Sequence, residues 1–208
     1  MDHREAIDRA RQLAQLDRRV IIGITGPPGC GKSTLAAAVA SALGPKVAVV
    51  PMDGFHLANA ELERLGLASR KGAPETFDVA GYISLLRRIR EAKHDTVYAP
   101  AFNRAIEEPI AGAIAIDAEA QLIVTEGNYL LLGDQPWPVI AQLVDETWYC
   151  DVDAEIRRAR LTARHEQFGR TAADASSWVA SVDEPNAQLI AATRFKANYF
   201  VDETQLTD

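Results

Sequence analysis

Nine consecutive residues, GPPGCGKST at Gly26–Thr34, constrain the fold more than any other part of the chain. They match the pattern G-x-x-x-x-G-K-S, in which glycines allow successive backbone N–H groups to turn inward around phosphate oxygens. The lysine of such a loop, here Lys32, reaches the outer phosphates, and the hydroxyl of Ser33 can hold Mg²⁺. The loop needs a buried strand before it and a helix after it, because the positive end of the helix adds to anion binding.

The sequence on both sides of this loop meets that requirement. VIIGIT at Val20–Thr25 is short, β-branched and almost wholly apolar, which indicates a strand buried on both faces. KSTLAAAVASAL is rich in helix formers and stops at Gly44-Pro45. The alternative, a glycine-rich turn with a chance lysine, does not require this context. The loop residues predicted to bind nucleotide are Gly26, Pro27, Pro28, Gly29, Cys30, Gly31, Lys32, Ser33 and Thr34.

Composition and charge exclude several classes of protein. With 208 residues, 48% hydrophobic and 25% charged, the chain is typical of one globular domain, 1–208. No apolar run approaches the roughly 20 residues that span a bilayer, and the N-terminus has no apolar signal core, so we expect a cytoplasmic protein without a membrane partner. A net charge of −7 argues against a nucleic-acid partner. Cys30 and Cys150 form no C-x-x-C pair, so we expect no disulfide framework; Cys30 is a redox group or a simple spacer.

Alternating strand and helix patterns predict the architecture. Apolar residues at helical spacing indicate helices at about 4–16, 57–67, 79–93 and 181–194. Further short apolar runs indicate strands at 46–53, 121–127, 146–153 and 195–202. We expect Asp153 and Asp183 to cap helices. The alternation predicts a three-layer α/β/α fold of the P-loop NTPase type, with a parallel central sheet and residues 95–116 as an excursion from it.

Two acidic residues follow predicted strands. Asp53 ends the second strand in VVPMDGFH, and Glu126 ends the strand in LIVTE. Ligands of open α/β sheets gather at the carboxyl ends of the strands, so Asp53 can accept a proton from a substrate hydroxyl that attacks the γ-phosphate. Glu126 can bind Mg²⁺ directly or through water. The alternatives are a helix cap at Asp53 and a solvent-facing carboxylate at Glu126.

Other classes of P-loop protein fit the sequence less well. A guanine-nucleotide switch carries N-K-x-D, which the sequence lacks. DVAG at Asp78–Gly81 matches the D-x-x-G pattern of such switches, but it opens a predicted helix instead of following a strand. ATP-driven motors are longer chains, so the length favours a kinase.

A resemblance to a known family adds roles to these residues. The P-loop, MDGFH, EGNYLL and RRARLTARHEQFGR together resemble the phosphoribulokinase / uridine kinase / type I pantothenate kinase family over nearly the whole chain. RKGAPETFD and APAFNRAIEEP are most similar to a small bacterial subgroup of fructose transport system kinases, also described as nucleoside/nucleotide kinase-like proteins. The resemblance implies an ATP-dependent kinase with Mg²⁺, in which Asp53 and Lys32 act in catalysis and Ser33 and Glu126 at the metal.

Arginines are concentrated in the helix that Asp153 is expected to cap. They are Arg157, Arg158, Arg160, Arg164 and Arg170. Arginine suits a triphosphate because its planar fork donates two hydrogen bonds at once. The resemblance implies that 157–171 forms a lid in which Arg160, Arg164 and Arg170 contact ATP. A solvated amphipathic helix is the alternative, above all for the first two arginines. The family's frequent Arg-Asp pair reads Arg164-His165 here, so the resemblance gives His165 no role.

The segment APAFNRAIEEP and the nearby histidine offer groups for the phosphate acceptor. We expect Phe102 to form an apolar wall and Arg104 and His56 to bind the acceptor; His56 could equally be a buried structural residue. The family often has Tyr-Asp where this chain has Phe102-Asn103, so the acceptor contacts of relatives do not carry over. The three tryptophans are assigned to packing.

Two classes of function follow. The first is a kinase that transfers the γ-phosphate of ATP to a hydroxyl of a small metabolite, with a sugar such as fructose and a nucleoside ranked level and pantothenate after them. The second is a non-catalytic nucleotide-binding regulator of a transport system, which would need neither Asp53 nor an acceptor pocket. The presence of Asp53, Glu126 and the arginines favours the kinase. The sequence is compatible with a homodimer but does not fix the oligomeric state.

Overall fold

Five parallel strands form the centre of the molecule. The structure is a computed structural model that describes residues 1–92 and 94–203. The strand order of the central sheet is β2-β5-β1-β6-β7. The strands of the chain are β1 Val20–Thr25, β2 Val47–Pro51, β3 Val97–Asn103, β4 Glu108–Ile116, β5 Leu122–Glu126, β6 Glu146–Asp151 and β7 Tyr199–Asp202.

Helices cover both faces of the central sheet. They are α1 His3–Leu13, α2 Lys32–Leu43, α3 Asn59–Leu65, α4 Val79–Glu91, α5 Pro138–Leu143, α6 Ala154–Gln167, α7 Ala172–Trp178 and α8 Glu184–Ala191. In β1, Ile21 belongs to the core under α4 and α5, whereas Ile22 belongs to the core under α1 and α2. Side chains of a strand alternate between faces, so a strand that feeds two cores reads as a continuous apolar run. The predicted three-layer α/β/α fold with a parallel sheet is confirmed.

The excursion predicted at 95–116 is an antiparallel hairpin of β3 and β4. These two strands form their own two-stranded sheet, separate from the central one. Residues Met52–Phe55 form a 3₁₀ turn directly after β2, and the hairpin packs against this turn. At the closest point a Cβ on Gly54 would lie 2.4 Å from the carbonyl oxygen of Pro100, which only glycine allows. The hairpin is therefore fixed beside the carboxyl end of β2.

Two helix caps were predicted, and one prediction is wrong. Asp153 caps α6, since its carboxylate accepts hydrogen bonds from the amides of Glu155 and Ile156. Asp183 caps nothing: it has helical backbone angles and makes no capping bond, because α7 continues through a π-helical segment, Val179–Asp183, into α8. Pro185 lacks an N–H and crowds the carbonyl four residues earlier, so a wider turn is the expected accommodation.

Other differences from the predicted elements are smaller. Helix α5 was not predicted, since it has only six residues. Lys196 ends a 3₁₀ turn, and β7 therefore begins only at Tyr199. Asp78 caps α4 through the amide of Gly81, which agrees with reading DVAG as a helix start. Across the described parts of the chain, no helix combines the length and the apolar character needed to cross a bilayer.

Candidate active site

Three neighbouring strands bring the predicted phosphate, metal and base residues to one edge of the sheet. Strand β5 lies between β1 and β2, and Glu126 at its end is level with Ile24 on one side and Pro51 on the other. The P-loop follows β1 directly, and Asp53 lies two residues beyond Pro51. The carboxyl ends of adjacent parallel strands share one crevice, so this arrangement follows from the strand order.

The P-loop passes under the arginine-rich helix. Gly29 has a φ of 79°, and a Cβ placed on it would lie 2.8 Å from Cγ of Leu161 and 3.0 Å from the carbonyl oxygen of Arg157. Both the backbone conformation and the space therefore require glycine. Helix α6 thus packs directly against the loop, which keeps its arginines near the phosphate-binding backbone.

The amine of Lys32 lies within the loop. Its Nζ donates to the carbonyl oxygens of Gly26 at 2.9 Å and Pro27 at 3.0 Å, and the side chain is buried. Lys32 is also the first residue of α2, so its charge sits at the positive end of that helix. This combination of a buried ammonium and a helix terminus is a strongly anion-attracting environment.

Ser33 and Glu126 form the oxygen-rich part of the site. Ser33 Oγ donates to Glu126 Oε1 at 3.0 Å. Burial raises the pKa of Glu126, and the negative charge of Asp53 raises it further. A hydroxyl and a carboxylate at this position fit Mg²⁺, which binds few protein oxygens and takes its other ligands from water and phosphate. Within residues 1–92 and 94–203, no cluster of three or more His, Cys, Asp or Glu suited to a metal occurs.

Asp53 forms an ion pair with the hairpin. Its Oδ2 lies 3.0 Å from a guanidinium nitrogen of Arg104, and both side chains are partly exposed. Arg104 follows β3, so the predicted acceptor segment contacts the predicted base directly. The capping alternative for Asp53 finds no support, since no side-chain cap bond is formed at this turn.

His56 lies between two aromatic rings. Its ring centroid is 4.1 Å from that of Phe77 and 4.7 Å from that of Phe102. Its Nδ1 is 2.8 Å from the carbonyl oxygen of Asp53, which can only accept, so Nδ1 carries the proton. Burial lowers the pKa of His56 and favours the neutral ring, whose Nε2 is then an acceptor.

The three predicted lid arginines occupy different surroundings. Arg164 lies close enough to Asp53 and Glu126 for their charges to raise its pKa, although burial outweighs them and lowers it. Arg160 lies near Glu203: burial raises the pKa of that carboxyl, and the charge of Arg160 offsets part of the rise. Arg170 is exposed and stacks on Trp178, with 4.0 Å from its Cζ to the ring centroid. The charges of Asp53 and Glu126 place Arg164 near the predicted base and metal residues.

Two consecutive acids, Asp183 and Glu184, bind the remaining basic residues of α6. The sequence patterns did not indicate this contact. Glu184 forms ion pairs with Arg157 and Arg158, and Asp183 accepts from His165 Nε2 at 2.8 Å. Arg157 is buried in this contact, so its role is structural. The π-helical turn before Pro185 orients both acids toward α6, and the sequence Asp-Glu-Pro was its only local signal.

A P-loop cysteine and a second cysteine from β6 form a buried pair of thiols. Cys30 and Cys150 are both free and fully buried. Burial alone would raise the pKa of Cys30, but a hydrogen bond with Cys150 and the charge of Lys32 lower it to about 7. Glu203 completes the group, with its Oε1 2.8 Å from His3 Nε2 and 3.8 Å from Cys150 Sγ. These contacts join distant parts of the chain, and no local sequence pattern indicates them.

Comparison with known proteins identifies the family. The model of the Phosphoribulokinase / Uridine kinase family matches residues 21–203, which includes the P-loop, Asp53, Glu126 and the arginine-rich helix. The chain belongs to the phosphoribulokinase / uridine kinase family. Membership makes it a P-loop kinase, with ATP as the phosphoryl donor of the family.

Relatives in this phosphoribulokinase / uridine kinase family carry different names. A protein of Schizosaccharomyces pombe named "putative uridine kinase" is 36% identical over 179 residues, covering 82% of this chain and 76% of the relative. A pantothenate kinase of Bradyrhizobium sp. is 34% identical and covers 75% of this chain, but this chain spans only 53% of that enzyme. The structure of a "putative fructose transport system kinase" from Silicibacter sp. TM1040 is 33% identical, has a TM-score of 0.83, and covers 94% of this chain and 98% of its own.

Proposed function

We propose that this family member is an ATP-dependent kinase that transfers the γ-phosphate to a hydroxyl group of a small metabolite. The observation that carries the proposal is the convergence of the P-loop, Glu126 and Asp53 at the ends of adjacent strands. A nucleotide-binding regulator requires the P-loop alone. Phosphotransfer to a hydroxyl also requires a carboxylate beside the phosphate site that can take the hydroxyl proton, the position that Asp53 occupies.

Each residue of the site has a proposed role in the transfer of the γ-phosphate. Asp53 accepts the proton of the acceptor hydroxyl while the hydroxyl oxygen forms a bond to the γ-phosphorus. The bond from that phosphorus to the bridging oxygen breaks at the same centre, which gives ADP and a phosphorylated acceptor. The P-loop amides and Lys32 bind the phosphates, and Arg164 adds positive charge beside the transferring group. Helix α6, which packs over Gly29, excludes water from the transferring phosphoryl group.

Ser33 and Glu126 are proposed to hold Mg²⁺, which neutralises phosphate charge when bound. His56 is proposed to accept a hydrogen bond from the acceptor at Nε2, with Phe102 as an apolar wall. A sugar such as fructose, a nucleoside and a pantothenate-like alcohol are the candidate acceptors, and the names of relatives support each of them. A cytoplasmic location is part of the proposal, and the two free thiols agree with a reducing compartment.

The proposal is tested by an ATP-consumption screen over sugars, nucleosides and vitamins, with and without EDTA, followed by Asp53→Asn. Loss of a general base costs about 10²–10⁴-fold in rate. We expect such a loss in kcat with little change in KM, because asparagine keeps the shape but cannot take the proton. ATP binding, measured by titration, should be retained or slightly tighter, since a negative charge near the γ-phosphate has been removed.

Wild-type turnover in Asp53→Asn would contradict the catalytic role of this residue. Phosphotransfer that persists in EDTA would contradict the metal assignment. If ATP binds and no compound of the screen is phosphorylated, the regulator is the better interpretation of the P-loop.

A further inference from the structure

A lysine that sequence reasoning overlooked lies beside the proposed acceptor residues. Lys71 Nζ donates to Oδ1 of Asn59 at 2.5 Å and to the main-chain oxygen of Glu107. Both oxygens are uncharged acceptors. An ammonium has three donors, and only two have acceptors within residues 1–92 and 94–203. Lys71 is thus oriented by the protein without being neutralised.

Two carboxylates of the segments next to Lys71 are engaged with other groups: Asp53 pairs with Arg104, and Glu108 accepts from the amide of Asn59. Glu107 contacts Lys71 through its main-chain oxygen. Lys71 itself forms no ion pair with any residue that the structure describes. Holding a half-buried positive charge against neutral oxygens is unfavourable unless a negative partner arrives.

A second cation converges with Lys71 on one aromatic ring. Lys71 Nζ is 5.3 Å and Arg104 Cζ is 5.7 Å from the centroid of Phe102. Burial lowers the pKa of His56, whose ring contacts Phe102, and the positive charges of Lys71 and Arg104 lower it further. Like charges held near one group repel each other, and an anion bound between them would remove that repulsion.

Positive charge also surrounds the proposed base. Arg104 lies 3.0 Å from Asp53, and the charge of Asp53 also acts on Arg164, whose pKa is lowered by burial and further by Arg104. The net charge of the whole chain is −7, which makes this concentration of cations a local property of the site. Such a cluster attracts a negatively charged substrate and raises its local concentration.

We propose that the acceptor carries a carboxylate or phosphate group, and that Lys71 and Arg104 bind this group while its hydroxyl meets Asp53. The inference rests on the proposed function and narrows its acceptor to one chemical class. Arg104 exchanges its bond to Asp53 for a bond to the acceptor, since its fork suits carboxylate and phosphate equally. The exchange frees Asp53 to take the hydroxyl proton. A neutral acceptor would leave Lys71 without an anionic partner and would leave Asp53 bound to Arg104.

Matched pairs of compounds test the charge requirement. The probes are D-glycerate with glycerol, pantothenate with pantothenol, and fructose 6-phosphate with fructose, each with ATP and Mg²⁺. We expect at least one charged member to be phosphorylated, with kcat/KM at least about 10-fold above its neutral counterpart, as loss of a charge-assisted hydrogen bond predicts. The carboxylate and phosphate pairs distinguish the two sources of charge.

Variants of the lysine test its part in binding. Lys71→Gln should raise KM for the charged acceptor by about 10- to 150-fold. Its KM for ATP should not change, and Lys71→Arg should recover most of the affinity. Lys46→Gln is the matched control, because Lys46 is exposed at the opposite end of β2. Melting curves of all variants establish that they are folded.

Equal or faster turnover of every neutral member overturns the inference, and so does an unchanged KM in Lys71→Gln. If that neutral turnover is lost in Asp53→Asn, the proposed kinase function stands without the charged acceptor. If neither charged nor neutral compounds are phosphorylated, both proposals are contradicted.

Discussion

The nucleotide side and the acceptor side of this site are built differently. On the nucleotide side, the P-loop is enclosed. Helix α6 packs against Gly29, and Cys30 of the loop is buried beside Cys150. On the acceptor side, Arg104 and Lys71 reach Asp53 and Phe102 from an exposed hairpin and a loop. Packing fixes the functional groups of the first side. On the second side the hairpin backbone is packed at Gly54, but the side chains of Arg104 and Lys71 are held by a few polar and cation–π contacts.

This difference explains how proteins with one fold can bind different substrates. A buried loop that depends on close backbone approach tolerates few changes, so its phosphate chemistry is retained. Surface residues such as Ile106, 56% exposed on the hairpin, can change without disturbing the core. Specificity can therefore diverge at the hairpin while the nucleotide side stays the same.

The largest effect that tests this comparison is expected at Lys32. Lys32→Ala should lower turnover by about 10²–10³-fold, the loss typical of one donor aimed at developing charge. The variant should stay folded with reduced stability, because the two hydrogen bonds of Lys32 to loop carbonyls are charge-assisted and contribute about 1.5–3 kcal/mol each. Steady-state kinetics, ATP titration and a melting curve measure the three quantities.

Lys46→Ala is the control for Lys32→Ala, since Lys46 is exposed and remote from the site. Unchanged ATP affinity and turnover in a folded Lys32→Ala variant would refute the assignment of the P-loop. A variant that fails to fold would instead mean that Lys32 serves the core, which breaks the distinction between packing and ligand binding on this side.

The next effect is expected at Arg164, which lies between the two sides. Arg164→Ala should lower turnover by about 10- to 150-fold, as expected for loss of charge-assisted hydrogen bonds to the transferring group. Arg158→Ala on the same helix is the matched control. Arg158 pairs with Glu184 at the surface, so its loss should change stability by no more than about 1 kcal/mol and leave the kinetics unchanged.

Equal kinetics of the Arg164 and Arg158 variants would mean that α6 is a solvated helix without a role in catalysis. A loss in Arg164→Ala confined to the KM for the acceptor would assign Arg164 to the acceptor side instead.

The nucleotide side could be predicted from the sequence, because its signals are local. The strand before the P-loop, the helix after it and the cap at Asp153 each depend on neighbouring residues, and all three are confirmed. The strand-end position of Glu126 follows in the same way from its apolar strand. The roles assigned to Asp53, Lys32 and the lid arginines stay predictions.

The acceptor side could be predicted only in part, because its contacts join distant segments. Arg104 and Asp53 are 51 residues apart, and nothing in either segment indicates their pairing. Lys71 stands in RKGAPETFD as an ordinary loop lysine, and only the folded chain brings it to Phe102. The wrong cap at Asp183 has a similar cause, since Asp-Glu-Pro is compatible with a helix start or with a π-helical turn inside a longer helix.

A pair of glycine variants measures the difference between the two sides directly. Gly29 and Gly112 both have positive φ, 79° and 66°, so alanine costs each about 1–2 kcal/mol in backbone strain. A Cβ on Gly112, in the hairpin, would meet no atom within 4 Å, whereas one on Gly29 would collide with Leu161 and the Arg157 carbonyl. Gly29→Ala should therefore lose an additional ~1–3 kcal/mol of unfolding free energy from overpacking.

Urea denaturation of both variants measures that difference, and ATP titration shows where it acts. The Gly112 variant should bind ATP as the wild type does, because a Cβ at Gly112 meets no atom and therefore displaces nothing at the phosphate loop. The Gly29 variant should bind ATP more weakly, because α6 can relieve the collision only by moving away from the P-loop. Equal losses of stability in the Gly29 and Gly112 variants would mean that α6 can move away from Gly29 at no energetic cost. The nucleotide side at Gly29 would then be no more tightly packed than the hairpin at Gly112, which would contradict the comparison.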